Sequence, residues 1–484
     1  AVTLRLIRLF SGRPTTRASR QRPGERLAAA LHELGPSFIK LGQALSVRAD
    51  LIGEAVAADL GRLRDRLPPF PAQAARETVE AELGQPLEQL FKHFEPQPIA
   101  AASIAQVHFA VTADGRDVAV KILRPGIEAA FRRDLDLFAW LARLAERLQP
   151  GLRRLRPMDV VQTLADTVAV EVDLRMEAAA AAELAENFAE DPSFRVPQID
   201  WPRTARRVLT MARVEGIPID DRQSLIDAGH DPRGLAAQVI RAFLQQTLRD
   251  GFFHADMHQG NLFVAADGAL VAVDFGIMGR IDRPTRLFMA EMLHAFLTGD
   301  WQRAAEVHFE AGYVPPAKSR AQFAQACRSI GEPILDRPVS EISIGRLLAQ
   351  LFQITAAFEM QTQPQLLLLQ KTMGTAEGVA RTLDPAVNFW EVSRDLVSDW
   401  LAANLAPDAV LADAAGQAIG LLRRLPGLAS RLEQFTDRTI EQGLRLDAES
   451  LQGLAREQAR QRRPLLWAAA GLAILLLLLL WRGA

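Results

Sequence analysis

Apolar residues recur at three- and four-residue spacing through residues 22–62, as at Leu27, Leu31, Leu34 and Phe38, and this pattern predicts helix. The segment Asp65–Pro71, with Pro68, Pro69 and Pro71, breaks it and reads as a linker. The period then changes. Gln106–Val111 and Val118–Leu123 read as strands joined by an Asp114-Gly115 turn, which predicts a hairpin. Helical spacing returns over 128–147 and 157–190. Val208–Val214 reads as a buried strand closed by a Glu215-Gly216 turn, and Gly234–Asp250 as an amphipathic helix. Leu270–Val273 reads as another short strand. Residues 284–463 are almost wholly helical by periodicity, punctuated at Pro315-Pro316, Pro333, Pro364 and Pro385. No internal repeat is present, and the mixture predicts an α+β fold.

The far end of the chain departs from this pattern. Pro464–Trp481 carries no charge, Leu475–Leu480 are all leucine, and Trp467 and Trp481 stand near the two ends like interfacial anchors. Eighteen helical residues span about 27 Å, close to a hydrocarbon core of roughly 30 Å. Arg456, Arg460, Arg462 and Arg463 precede the span and Arg482 alone follows it, so a single C-terminal anchor with the bulk of the chain cytoplasmic is expected. Ala469 and Ala473, four apart, would suit helix contact in a homodimer.

Composition narrows the function. A chain of 484 residues with 49% apolar and 24% charged content has ample core for several domains. A net charge of -2 argues against a general nucleic-acid binder, and the Arg-rich stretch Arg13–Arg26 is short and local. Cys327 is the one cysteine, which excludes an internal disulfide and a Cys-rich zinc site. No secretory signal is read at the start.

The candidate chemistry lies in His254-Ala255-Asp256-Met257-His258-Gln259-Gly260-Asn261 and in Asp274-Phe275-Gly276 after the 270–273 strand. An Asp and an Asn five apart, then a second Asp opening an Asp-Phe-Gly triplet, is the layout of a kinase-like phosphoryl-transfer site. Asp256 is expected to orient or deprotonate an attacking hydroxyl. Asn261 and Asp274 offer hard oxygens to Mg²⁺. Ile99-Ala100-Ala101-Ala102-Ser103-Ile104-Ala105 is a run of small residues before the hairpin, placed to lie over phosphates, with Lys121 reaching their oxygens. Alanine permits close approach but lacks the freedom of glycine at positive φ. Val208–Val214 and its turn are the expected hinge and adenine pocket.

Lysine usage sharpens this. The chain holds 56 basic residues, of which only Lys40, Lys92, Lys121, Lys318 and Lys371 are lysine, so a retained lysine points to a need for a compact charge. Two of the five fall in motif-like stretches. Lys40 and Gln43, three apart in Gly35–Gln43, share a helix face and can reach one site. On a continuous 157–190 helix Glu171 and Glu177 point about 120° apart, so they suit two different lysines. Glu177 is assigned to Lys121 and Glu171 to Lys40.

Together these stretches resemble the UbiB family of atypical kinase-like proteins, from Leu34 to about residue 400. The resemblance rests on Lys40-Leu41-Gly42-Gln43, Ala100–His108, Val118-Ala119-Val120-Lys121, Glu171-Val172-Asp173, His254–Asn261 and Asp274-Phe275-Gly276. The Lys-x-Gly-Gln and alanine-rich elements are specific, since ordinary kinases lack both. It implies a bilobal kinase-like fold under an N-terminal helical extension that occludes the site of protein-substrate docking. Lys40, Gln43, Glu171 and Asp173 would form a regulatory latch, Ala100–Ser103 and Lys121 the nucleotide site, and Asp256, Lys121 and Glu177 the catalytic group. The expected domains are 1–97 (extension), 98–220 (N-lobe), 221–400 (C-lobe), 401–463 (helical connector) and 464–481 (transmembrane helix).

The implied ligands are ATP or ADP with Mg²⁺. The implied role is a kinase or ATPase accessory to ubiquinone biosynthesis at the inner membrane, with prenylated phenol or quinone lipids and the other biosynthetic enzymes as partners. The alternative is a nucleotide-gated scaffold that assembles those enzymes. Met257 and Gln259 stand where many members have proline, Ala180 where asparagine is common, and one span where some relatives have two.

Overall fold

Proline opens and glycine closes the first described helix. In a computed structural model, which describes residues 22–46, 52–61, 63, 67–148, 157–335, 354–355, 357–360 and 364–405, α1 (Pro23–Leu34) begins on Pro23 and ends at Gly35. Gly35 has φ 108°, a conformation open to glycine, and the chain re-enters helix at once as α2 (Pro36–Ser46). α3 (Glu54–Leu60) packs back on both, with Arg22 paired to the buried Asp59.

After α4 (Ala72–Leu83) and the short α5 (Leu87–Leu90), the chain forms an antiparallel sheet. Its order is β1 (Phe91–Phe94), β3 (Ala105–Thr112), β4 (Asp117–Leu123) and β6 (Val208–Ala212), with β2 (Ala100–Ala101) on the side of β3. The period of two decides where each β4 side chain goes. Val118, Val120 and Ile122 are buried against Ala75 and Val79 of α4. Lys121, between them in sequence, turns to the opposite face. On that face Leu123, Leu209 and Met211 meet α6 (Ile127–Leu148), α7 (Pro157–Glu171) and α8 (Leu174–Asn187) through Phe131, Phe138, Leu164, Val168 and Leu174.

The second lobe is centred on α10 (Pro232–Leu244), which follows β5 (Phe194–Arg195), β7 (Ile217–Pro218) and α9 (Arg222–Asp227). Leu235, Val239, Ile240 and Phe243 recur at helical spacing and are all buried, each such side chain contributing roughly 1.5–3 kcal/mol by leaving water. Their partners include Ala376, Val379 and Leu383 of α14 (Pro364–Leu383) and Phe389, Val397 and Leu401 of α15 (Phe389–Leu405). Short strands carry the loops of interest: β8 (Phe252–His254) pairs with β11 (Met278–Arg280), and β9 (Leu262–Val264) with β10 (Leu270–Ala272). α11 (Arg283–Thr298), α12 (Trp301–Glu310) and α13 (Arg320–Leu335) pack around Phe323 and Cys327. The described residues up to Ala402 form one compact unit.

The α+β composition and the hairpin agree with expectation, and Gly115 sits at φ 88° in the turn. Three local expectations need correction. Residues 157–190 are not one helix, because Asp173 adopts extended backbone and accepts the N–H of Arg175, capping a new helix. Gly234–Asp250 does not stay α-helical, for residues Gln245–Asp250 widen into a π-turn. Pro333 lies inside α13 rather than ending it. The expected connector beyond 405 and the span 464–481 lie outside the described residues. No helix among the described residues is long and apolar enough to cross a membrane.

Gly279 shows how closely β11 approaches β8: a Cβ there would lie 2.1 Å from the ring of Phe253, which is fully buried. Gly279→Ala is therefore expected to cost about 1–3 kcal/mol through overpacking. Urea unfolding checks this, and an unchanged midpoint would contradict the packing described.

Candidate active site

Sheet and helix converge on one ammonium group. Lys121 Nζ donates to Glu177 Oε1 at 2.8 Å and Oε2 at 2.9 Å, and to Asp274 Oδ1 at 2.7 Å. Burial by itself would lower the pKa of Lys121, but the carboxylates of Asp274 and Glu177 outweigh it and hold the amine protonated well above its usual value. The same ammonium, helped by that of Lys40, keeps the Asp274 carboxyl well below the usual range. Asp274 adopts φ 63°, a left-handed backbone that costs a non-glycine residue of order 1–3 kcal/mol. This outlier turns the side chain toward Lys121 while Phe275 enters the core beside His254, ring centroids 5.5 Å apart.

The Asp256 loop is held by its own polar groups. His254 is fully buried, and burial lowers its pKa. Its Nδ1 accepts the Asp256 backbone N–H at 3.1 Å, so the other nitrogen, Nε2, carries the proton given to the Val273 carbonyl at 3.1 Å. One neutral imidazole thus ties Asp256 to the strand end that delivers Asp274. Asn261 Nδ2 donates to the Asp256 carbonyl at 3.1 Å. That bond uses the amide nitrogen and leaves the amide oxygen as the acceptor for a ligand.

The extension supplies a second buried pair. Lys40 Nζ lies 2.8 Å from Glu171 Oε2, with side chains 10% and 7% exposed. Glu171 ends α7, whereas Glu177 sits in the first turn of α8, so a helix break rather than helical phase divides the two glutamates between two lysines. The pairing expected from sequence is observed, and the break between α7 and α8 produces it, not the angular spacing along one helix. Arg124 and Gln106 hold the linker before the sheet: Arg124 donates to the carbonyls of Pro68 (2.7 Å) and Ala102 (3.0 Å), and Gln106 accepts the Phe70 N–H at 3.0 Å. Gln106 in turn meets His108 Nε2 at 2.8 Å, both side chains being buried.

Lys40, Gln43, Lys121, Glu171 and Glu177 line one cleft, as do Asp256, Asn261 and Asp274. Ala100, Ala101 and Ala102 also line it, as do Met211 and Val214 at the expected hinge. Two expected site residues are elsewhere. Ser103 is 0% exposed and does not line the cleft, because the chain turns inward between β2 and β3. Asp173 also lies outside the cleft and pairs with Arg175 as a helix cap. The roles of His254, Arg124 and Gln106 were not read from sequence; a His two residues before the loop Asp is the one signal that marks the first.

Comparison with known proteins decides the family. Residues 62–308 match the ABC1 atypical kinase-like domain, and 327–388 match the UbiB helical domain. A protein named probable protein kinase UbiB from Marinobacter nauticus is 43% identical over 392 residues, covering 80% of this chain and 72% of that protein. The chain belongs to the UbiB family. A Xylella fastidiosa UbiB relative of the same name is 38% identical over 94% of this chain and 85% of its own. The solved complex of Rv3197 with erythromycin from Mycobacterium tuberculosis is similar in structure, with TM-score 0.55, 26% identity, and coverage of 83% of this chain and 98% of that one. The atypical kinase-like fold of the UbiB family accounts for the two lobes and for α14, which falls within the helical-domain match.

For the buried Lys40–Glu171 pair, removing one partner is expected to cost more than removing both. Glu171→Ala should destabilise by about 3–5 kcal/mol, and Lys40→Met with Glu171→Met should recover most of that loss. Urea unfolding of the three proteins gives the comparison, and equal losses in single and double variants would refute it.

Proposed function

We propose that this UbiB-family chain is a membrane-anchored atypical kinase or ATPase that acts as an accessory factor in ubiquinone biosynthesis. The observation that carries this reading is the bridging of Glu177 and Asp274 by Lys121 in a cleft that Asp256 and Asn261 also line. Bound Mg²⁺-nucleotide would supply the phosphoryl group and neutralise its charge. The donor set fits that ion. Asp274 gives a carboxylate and Asn261 an amide oxygen, the small number of hard protein ligands that Mg²⁺ takes when phosphates and water complete its shell. Lys121 would hold phosphate oxygens, with Glu177 fixing its ammonium. Ala100–Ala102 would let the backbone approach the phosphates, and Asp256 would receive the proton of the attacking hydroxyl or water.

Other parts of the cleft suggest the partner. Met289, Met292, Leu293, Leu368, Leu369 and Met373 also line the cleft. Flexible methionines suit an irregular hydrocarbon ligand, which supports a prenylated phenol or quinone precursor. The uncharged segment Pro464–Trp481 supports anchoring at the inner membrane, where such lipids and the other biosynthetic enzymes would be met.

ATP turnover by the full chain in lipid nanodiscs, with and without a phenolic quinone-precursor mimic, tests the reading. Turnover above background and a fall of at least tenfold in Mg²⁺-nucleotide affinity or turnover in Asp274→Asn are expected. Mg²⁺-nucleotide binding with background turnover would leave the nucleotide-gated scaffold. Asp274→Asn with unchanged Mg²⁺-nucleotide binding and no turnover in either protein would overturn the enzyme reading.

A further inference from the structure

Two buried side chains from outside the Asp256 loop grip its backbone. Gln246, in the π-turn before β8, accepts the backbone N–H of His254 on Oε1 at 2.9 Å, and its Nε2 lies 3.8 Å from Met257 Sδ. Thr372, on α14, has Oγ1 3.1 Å from the Ala255 carbonyl and 2.9 Å from that of Leu368. Both side chains are 0% exposed. Between them they hold the Phe253–His254 and Ala255–Asp256 peptide groups, directly before Asp256.

Neither group is explained by packing alone. A threonine on a helix readily bonds the carbonyl four residues back, which is the Leu368 contact; here its single hydroxyl proton is shared between that carbonyl and the Ala255 carbonyl, 117 residues away in the chain. A buried amide whose nitrogen meets only a weak thioether acceptor is costly compared with an apolar residue of the same size. π-turns, moreover, occur frequently at functional sites, and this one brings Gln246 within reach of His254.

The position of α14 adds a second consideration. Leu368, Leu369 and Met373 on this helix line the cleft, while Thr372 bonds the Asp256 loop. One helix thus touches both the cleft wall and the backbone that carries Asp256.

We propose that Gln246 and Thr372 are positioning residues that fix Asp256 for phosphoryl transfer, and that Thr372 makes α14 a working part of the site. The assignment to phosphoryl transfer rests on the function proposed above; the grip on the loop does not. The test uses the full chain in nanodiscs, comparing Thr372→Val, Thr372→Ser and Gln246→Met with the parent. Hydrogen exchange of the peptide spanning 252–264 reports the grip, and the β4 peptide serves as control.

With one loop hydrogen bond lost, Thr372→Val and Gln246→Met should each speed exchange of that peptide roughly tenfold, with β4 unchanged. ATP kcat should fall by a similar factor or more with a smaller change in KM, because Lys121 and Asp274 lie outside this loop. Thr372→Ser, which keeps the hydroxyl, should retain both properties. Exchange within twofold of the parent in Thr372→Val and Gln246→Met, or equal loss in Thr372→Ser and Thr372→Val, would overturn the proposal. So would faster exchange with kcat unchanged. If the parent shows only background turnover, the enzyme reading fails by itself and the exchange arm alone decides whether these side chains hold the loop. Should Thr372→Val not fold, Thr372→Ala, which also lacks the hydroxyl, supplies the same comparison with Thr372→Ser.

Discussion

Everything in the cleft depends on one ammonium held between two carboxylates. Lys121 is largely removed from water, and an isolated buried charge of that kind costs several kcal/mol, so it persists only with partners on two sides. Glu177 is equally buried, whereas the Asp274 side chain is 53% exposed and faces the cleft. The arrangement places a positive charge at a fixed depth with one accessible carboxylate beside it. Each supporting element has a clear task in it: β4 aims Lys121 by strand alternation, the capped start of α8 presents Glu177, and the left-handed backbone of Asp274 turns its carboxylate inward.

The extension repeats the device at a second position. Lys40 and Glu171 form another shielded pair, and the Lys40 charge is close enough to help depress the Asp274 carboxyl. The helix break at Val172-Asp173 is what makes this possible. It separates two glutamates six residues apart onto two helices, so that α7 serves the extension and α8 serves the sheet. Polar side chains then anchor the linker between extension and sheet, through Arg124 and the buried Gln106. Removing a charge from any of these pairs would leave its partner stranded, which ties the extension to the state of the cleft.

Much of this was legible in the sequence because the chemistry constrains residue type and spacing together. Lys121 in a strand, Asp256 with Asn261 five residues on, and Asp274 before Phe-Gly were each identifiable, and scarcity of lysine drew attention to Lys40. What was not legible depended on contacts distant in the chain or on local backbone. A capping Asp173 looks like one more charge in a helical pattern, and apolar periodicity continued across the break. The π-turn left hydrophobic spacing intact, so Gln246 gave no signal. Ser103 matched the residue type of a phosphate loop, yet the turn between β2 and β3 buries it. The Thr372 contact spans 117 residues, and neither propensity nor periodicity reports such a pairing.

In the function proposed here, Lys121, Asp274 and Asn261 converge to receive a magnesium nucleotide beneath the Lys40 extension. A crystal structure of the protein with Mg²⁺ and a non-hydrolysable ATP analogue tests it most directly. The account predicts phosphate oxygens within hydrogen-bonding distance of Lys121 Nζ, the metal on oxygens of Asp274 and Asn261, and Lys40 still against Glu171. A nucleotide bound away from this cleft, or a metal that neither Asp274 nor Asn261 touches, would contradict it.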